Sequence, residues 1–194
     1  MEHWSLDPNQ LALVIASAGR TRRSARDLAM VTLCIDAGLR RREVVAVRRA
    51  DLDTTQWTLS VGDGTTRRVI RLGHRSALAL QDLDVARPAG DALLVSQDGR
   101  AVTARVVHEQ LKRAGELAGL GQWLTCRHLR RTYLGAIAEL YPLPVVMRLM
   151  GHAGDARHRP ASILEASDAQ FDDRWVSPLD ALLSEAAGDV ALAA

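Results

Sequence analysis

Lysine is almost missing from this chain of 194 residues: Lys112 stands alone against 24 arginines. Cysteine is nearly as scarce, with only Cys34 and Cys126 and no CxxC pair. Two separate thiols within apolar helical patterns exclude a disulfide scaffold and read as reduced core residues of a cytoplasmic protein. No apolar run reaches the length of a membrane-spanning helix, and Met1-Glu2-His3-Trp4 does not begin a signal peptide, so no membrane partner is expected. The six histidines make no cluster with cysteine or carboxylate at ligand spacing, and neither metal nor other cofactor is expected. Internal repeats and low-complexity segments are also missing. A large charge excess is lacking too: the net charge is +2, which by itself argues little for a nucleic-acid partner.

What is present is a mixed globular composition, 47% apolar and 25% charged, in a length that suits one domain with a sizeable core. Asp7-Pro8 reads as a cap and first residue of a helix through "NQLALVIASAG", closed by Gly19. A second helix is expected from about Ser24 to Ala37, and "RREVVAVRRADL" reads as a third. The period then changes. "QWTLSVGDGTTRRVIRL" places two strand-like runs on either side of Gly62-Asp63-Gly64, a hairpin signal. "HRSALALQDLD" is helical and "DALLVSQDGRAV" a short strand with a turn. Thr103 caps a long helix through Ala118, "RHLRRTYLGAIAEL" is a further helix ended by Pro142, and "PLPVVMRLMGH" is a short one closing at Gly151. The last helix is "SPLDALLSEAAG". The expected class is mainly α with a small antiparallel β-sheet (α+β): one domain over 1–187, a disordered tail over 188–194, and no separate N-terminal domain.

Three stretches stand out: "DAGLRRREVVAVRRADLD" at 36–53, "LTCRHLRRTYLGAI" at 124–137 and "RLMGHAG" at 148–154. In this order and spacing they resemble the catalytic domain of tyrosine recombinases, the phage-integrase family, over roughly residues 5–185. That family carries a G-L-R-x-x-E box, a basic hairpin, an H-x-L-R-x-T box and an L-G-H box followed by a tyrosine. The resemblance implies DNA strand cleavage and rejoining in site-specific recombination and integration, metal-free, on mobile genetic elements. Charge that grows on the non-bridging phosphate oxygens demands fixed cations, and arginine binds phosphate through a planar fork. By resemblance Arg40 and Arg130 fill the two catalytic arginine positions, His152 the later histidine, and Glu43, three residues after Arg40, supports the guanidinium. Arg41, Arg67, Arg68, Arg127 and Arg131 are expected to bind DNA phosphates.

The chain departs from the family at three reactive positions. Asp63 stands where the hairpin lysine would protonate the leaving oxygen. Arg127 stands at the first histidine, with His128 one place along; an alternative register pairs His128 with Arg131 but breaks the matches of Leu129 and Thr132. The nucleophile's place, about nine residues past His152, holds Ala161 or, in another alignment, Ile163, and no tyrosine follows Tyr141. Three functions fit these residues. One is a double-stranded-DNA-binding protein on a recombinase scaffold that no longer cuts. A second is an active recombinase using Tyr133, Ser162 or a nucleophile donated by a partner. The third is a protein-interaction module with decayed DNA binding. The final helix, with Leu179, Leu182 and Leu183 as its apolar stripe, packs either on its own domain or on a second copy or partner recombinase.

Overall fold

A computed structural model describes residues 5–64, 67–85, 90–121, 123–151 and 175–192. The class is the expected one, helices around a small antiparallel sheet. Helix α1 (Pro8–Ala18) opens on Asp7, whose carboxylate accepts from the Gln10 amide at 2.8 Å, while the Gln10 side chain accepts from the Asp7 amide at 3.2 Å. This reciprocal cap satisfies two of the amides that a helix start leaves without partners. Helix α2 (Ser24–Asp36) is the centre of the body: from Ala29 to Asp36 every side chain is buried. It is packed by α1, α4, α5, α6 and the C-terminal helix.

The third expected helix is shorter than its pattern. α3 spans Arg41–Ala46, and the chain then turns extended at Val47 (φ −64°, ψ 134°) into a 3₁₀ turn (Arg49–Asp51) and strand β1 (Leu52–Asp53). The reason is tertiary. Backbone that would have continued the helix bonds instead to 91–93: Leu93 N–H donates to Val47 O at 3.0 Å and Arg49 N–H to Asp91 O at 2.8 Å. Strands β2 (Thr58–Val61) and β3 (Arg68–Arg71) form the expected hairpin, with β1 on the far edge of β2. Register pairs Leu59 with Ile70 and Val61 with Arg68. Because side chains alternate along a strand, Leu59, Val61, Ile70 and Arg68 all face inward.

Helix α4 (His74–Val85) follows, then a narrow turn in which Val102 N–H donates to Leu94 O at 3.1 Å and Ser96 N–H to Arg100 O at 2.7 Å. Thr103 caps α5 (Ala104–Leu117) as its sequence implies. α6 (Cys126–Leu140) and α7 (Leu143–Leu149) complete the site-bearing half. The main core joins Leu11, Leu33, Ile35, Leu80, Val107, Leu111 and Leu129, each worth about 1.5–3 kcal/mol on burial. A satellite core of Tyr133, Ile137, Val145, Val146, Leu149 and Met150 lies under α7. Both cysteines are buried free thiols.

The C-terminal helix, α8 (Pro178–Leu192), lies back on its own domain. Leu179 and Leu183 enter the main core with Leu182 at its edge. Its start is clasped to the fully buried Asp36, which accepts from Ser177 Oγ at 2.5 Å and from the Gly73 amide at 2.6 Å; Asp180 accepts from the His74 amide at 2.8 Å. Burial pushes the Asp36 carboxyl above its ordinary range, and the Ser177 and Gly73 bonds partly offset that. Of the two placements open to the Leu179–Leu182–Leu183 stripe, the chain adopts the one on itself. The helix also runs on to Leu192, across most of the stretch for which a disordered tail is expected.

Candidate nucleic-acid interface

The site begins where α2 ends. Gly38 has φ +56°, and a Cβ there would collide with the Tyr133 ring, so the turn requires glycine on both counts. The turn delivers Arg40 to the N-cap of α3. Its amide donates to Glu43 Oε2 at 2.6 Å and its Nη1 to Oε1 at 3.3 Å. Glu43 is buried and serves a second cation: Arg68 Nη1 donates to Oε1 at 2.9 Å and Nη2 to Oε2 at 3.2 Å. Burial alone would raise the Glu43 carboxyl, but the Arg68 fork, the Arg40 amide and the two positive charges hold it below its ordinary range.

Arg130 is fixed differently. Its Nη1 donates to Gly38 O and its Nη2 to Met150 O at 2.6 Å, so carbonyls orient it without neutralising it. Burial, reinforced by Arg40 and Arg68, pushes the Arg130 guanidinium down to about 10. A cation so placed gains from an arriving anion.

Beside these groups lies an open cleft of about 420 Å³, lined by Arg40 and Arg41 of α3, His108 and Leu111 of α5, and Thr125, Cys126, Arg127 and Arg130 of α6. No carboxylate is in that lining. Arg127 and Arg130, one helical turn apart, share the face. His128 turns away, its Nδ1 3.2 Å from Thr125 Oγ1, and burial followed by Arg127 lowers its pKa.

Other expected DNA-binding residues fall elsewhere. Arg68 is the main difference. Its side chain is 2% exposed and its guanidinium is spent on Glu43, so it supports the site from behind instead of reaching a phosphate. The cause is strand alternation, which turns Arg68 inward with Ile70. Arg67 and Arg131 are exposed but do not line the cleft. His152 lies outside the described residues; the chain reaches its neighbour Gly151 at φ +63°, beside Arg68. Asp63 is on the other side of α3, in a second cleft of about 500 Å³ that Arg42, Glu43, Arg48 and Asp51 also line.

Neither tyrosine faces the arginines' cleft. Tyr133 is fully buried against Gly38, burial drives its phenol well above the ordinary range, and its hydroxyl has no hydrogen bond among the described residues. Tyr141 donates its hydroxyl to Val176 O and accepts from the Val176 amide, each at 2.9 Å, while stacking on Trp175 at 5.0 Å. Sequence reasoning missed His108 and the two carbonyls that aim Arg130. The one available signal for His108 was its place between Val107 and Leu111, at the edge of the apolar stripe of α5.

The arrangement of glycine turn, paired arginines and hairpin is that of a tyrosine-recombinase catalytic domain. Residues 5–158 match the model of the Phage integrase family, and the chain belongs to that family. Tyrosine recombinase XerC of Pseudomonas fluorescens is 32% identical over 134 residues, 66% of this chain and 44% of the relative. XerC of Azotobacter vinelandii is 35% identical over a stretch of the same length. The chain therefore spans under half the length of the curated relatives it matches. Among solved structures, XerA recombinase superposes with a TM-score of 0.70 at 21% identity, covering 90% of this chain and 68% of that one. An integrase from mycobacterium phage Brujita gives 0.62 at 22% identity, covering 94% and 64%. These likenesses show the fold. No helix among the described residues is long and apolar enough to cross a membrane.

Proposed function

We propose that this chain is a DNA-binding module on a tyrosine-recombinase scaffold, gripping backbone phosphates with Arg40, Arg41, Arg127 and Arg130 and not cleaving the strand. The observation that carries this reading is the first cleft: four guanidiniums line it and no carboxylate does. Phosphate is the anion that a planar arginine fork fits, and repeated phosphates along a duplex reward several such forks. His152 would, by its family position, add a further donor to phosphate. The proteins with similar folds include the Tn1549 transposon integrase in complex with transposon right end DNA, which supports DNA as the ligand here.

Loss of cleavage rests on three substitutions acting at different steps. Asp63 offers no cationic general acid, Arg127 replaces an imidazole, and Ala161 or Ile163 offers no oxygen to attack phosphorus. The protein acts on DNA in the cytoplasm, at the nucleoid, as a regulator, competitor or inactive subunit in recombination on a mobile element. A nicked suicide duplex tests this: no covalent protein–DNA adduct is expected on a denaturing gel, and an adduct overturns the reading. A second reading keeps catalysis with a nucleophile donated by a partner recombinase, and the positioned pair Arg40 and Arg130 favours it. The same gel, run with a partner recombinase alone and with this chain added, shows a partner–DNA adduct that depends on Arg40 and Arg130 of this chain only under that reading.

A further inference from the structure

The family's first histidine position holds an arginine in this chain, yet the cleft contains an imidazole from another element. His108 lines it from α5, together with the buried Leu111, and is part-exposed. Among the described residues its ring has no hydrogen-bond or ion-pair partner. Histidine is the side chain whose charge changes between about pH 5 and 8.

We propose that His108 is a phosphate-binding residue of this cleft and makes its grip on DNA strengthen as the pH falls. The proposal rests on the DNA-binding reading above. The charged groups that line the cleft with His108 are Arg40 and Arg41 on α3 and Arg127 and Arg130 on α6, with the Cys126 thiol; Glu43 on α3 is taken by Arg40 and Arg68 and lines the other cleft, and His128 on α6 lies against Thr125. On α5 itself Arg105, Glu109 and Lys112 flank it within a turn, and Lys112 is paired to Glu116 at 3.7 Å and set over the Trp123 ring. Helix α1, also packed on α5, carries no titratable side chain, and α2 brings Cys34 from behind Cys126. Within the cleft, then, no carboxylate competes for an imidazolium. An entering phosphate is the counter-charge that favours it, so binding takes up a proton at His108 and acid conditions favour binding.

The test uses the full chain, a fluorescein-labelled mixed-sequence duplex and anisotropy titrations at several salt concentrations near pH 6 and near pH 8. Wild type is expected to bind about five- to tenfold tighter at the lower pH, with a salt slope steeper by about one. His108→Gln should lose that gain. His108→Lys, permanently charged, should bind tightly at both pH values, a result that a packing role for His108 does not produce. Both substitutions fall on a part-exposed helical position, and the two report independently. If both variants keep the wild-type pH dependence while Arg40→Ala and Arg130→Ala weaken binding, the His108 proposal is wrong and the DNA-binding reading stands. If wild type shows no salt-dependent duplex binding at either pH, both fail together.

Discussion

Helix α3 separates two clefts of similar size and opposite character. On one side, about 420 Å³ is lined by Arg40, Arg41, Arg127, Arg130 and His108 with no acid among them. On the other, about 500 Å³ is lined by Arg42 and Arg48 with Glu43, Asp51 and Asp63. The arginines of a single run, "LRRRE", are divided between the two: Arg40 and Arg41 line the first and Arg42 the second, while Glu43, bonded to Arg40, lines the second as well. The difference teaches that this chain's low net charge is a sum over unlike surfaces. Cations concentrate in the first cleft, and Glu43, Asp51 and Asp63 gather in the second, beside the hairpin.

The comparison can be broken most severely at its hinge. Gly38→Ala puts a side chain into the Tyr133 ring at a positive φ and displaces the carbonyl that aims Arg130. A loss of about 3–5 kcal/mol of stability is expected in urea unfolding. Glu43→Gln follows at about 2–3 kcal/mol, because Arg40 and Arg68 lose their shared counter-charge. Glu43 has a folded-state pKa below its ordinary value. Its stabilisation is therefore complete above the ordinary glutamate range and is lost as pH falls through the folded value. The variant should accordingly show a flatter decline of melting temperature on acidification than wild type.

Arg130→Ala then tests the cationic side by binding. Duplex affinity should fall about tenfold and the salt slope by about one. The mixed-charge side should respond far less. Asp63→Lys, which removes a repelling charge and adds a cation, is expected to tighten binding about two- to threefold in the same titrations. Arg42→Ala should change affinity by less than about twofold, since Arg42 lies outside the arginine cleft, in a lining that also holds Glu43, Asp51 and Asp63. A drop as large as that of Arg130→Ala would mean that the duplex runs across both clefts and that the division by α3 is not functional.

Several elements were legible before any coordinates. Asp7 and Thr103 announced their helices through side-chain oxygens that reach amides three residues on, an interaction wholly local to the chain. The hairpin around Gly62 was legible from alternation and turn glycines for the same reason. The third helix was not: its arginine- and valine-rich pattern suits a helix as far as Leu52, and only the carbonyl and amide partners offered by residues 91–93 end it at Ala46. Arg68 was half legible. Sharing a strand face with Ile70, two residues on, already implied burial, but nothing local revealed that Glu43 waited behind it, 25 residues earlier in the chain.

The amino-acid sequence by itself determined the family, the capped helix starts at Asp7 and Thr103, the hairpin, the scarcity of lysine and the lack of any tyrosine after Tyr141. Each of these is a matter of residue identity, order or short-range spacing. Tertiary structure alone decided which arginines share a cleft, which one is consumed by Glu43, that Arg130 is held by carbonyls, that His108 joins them, and that α8 folds onto its own domain. Those outcomes depend on charges and hydrogen-bond partners far apart in the chain, and only packing the helices around α2 brings them within reach of one another.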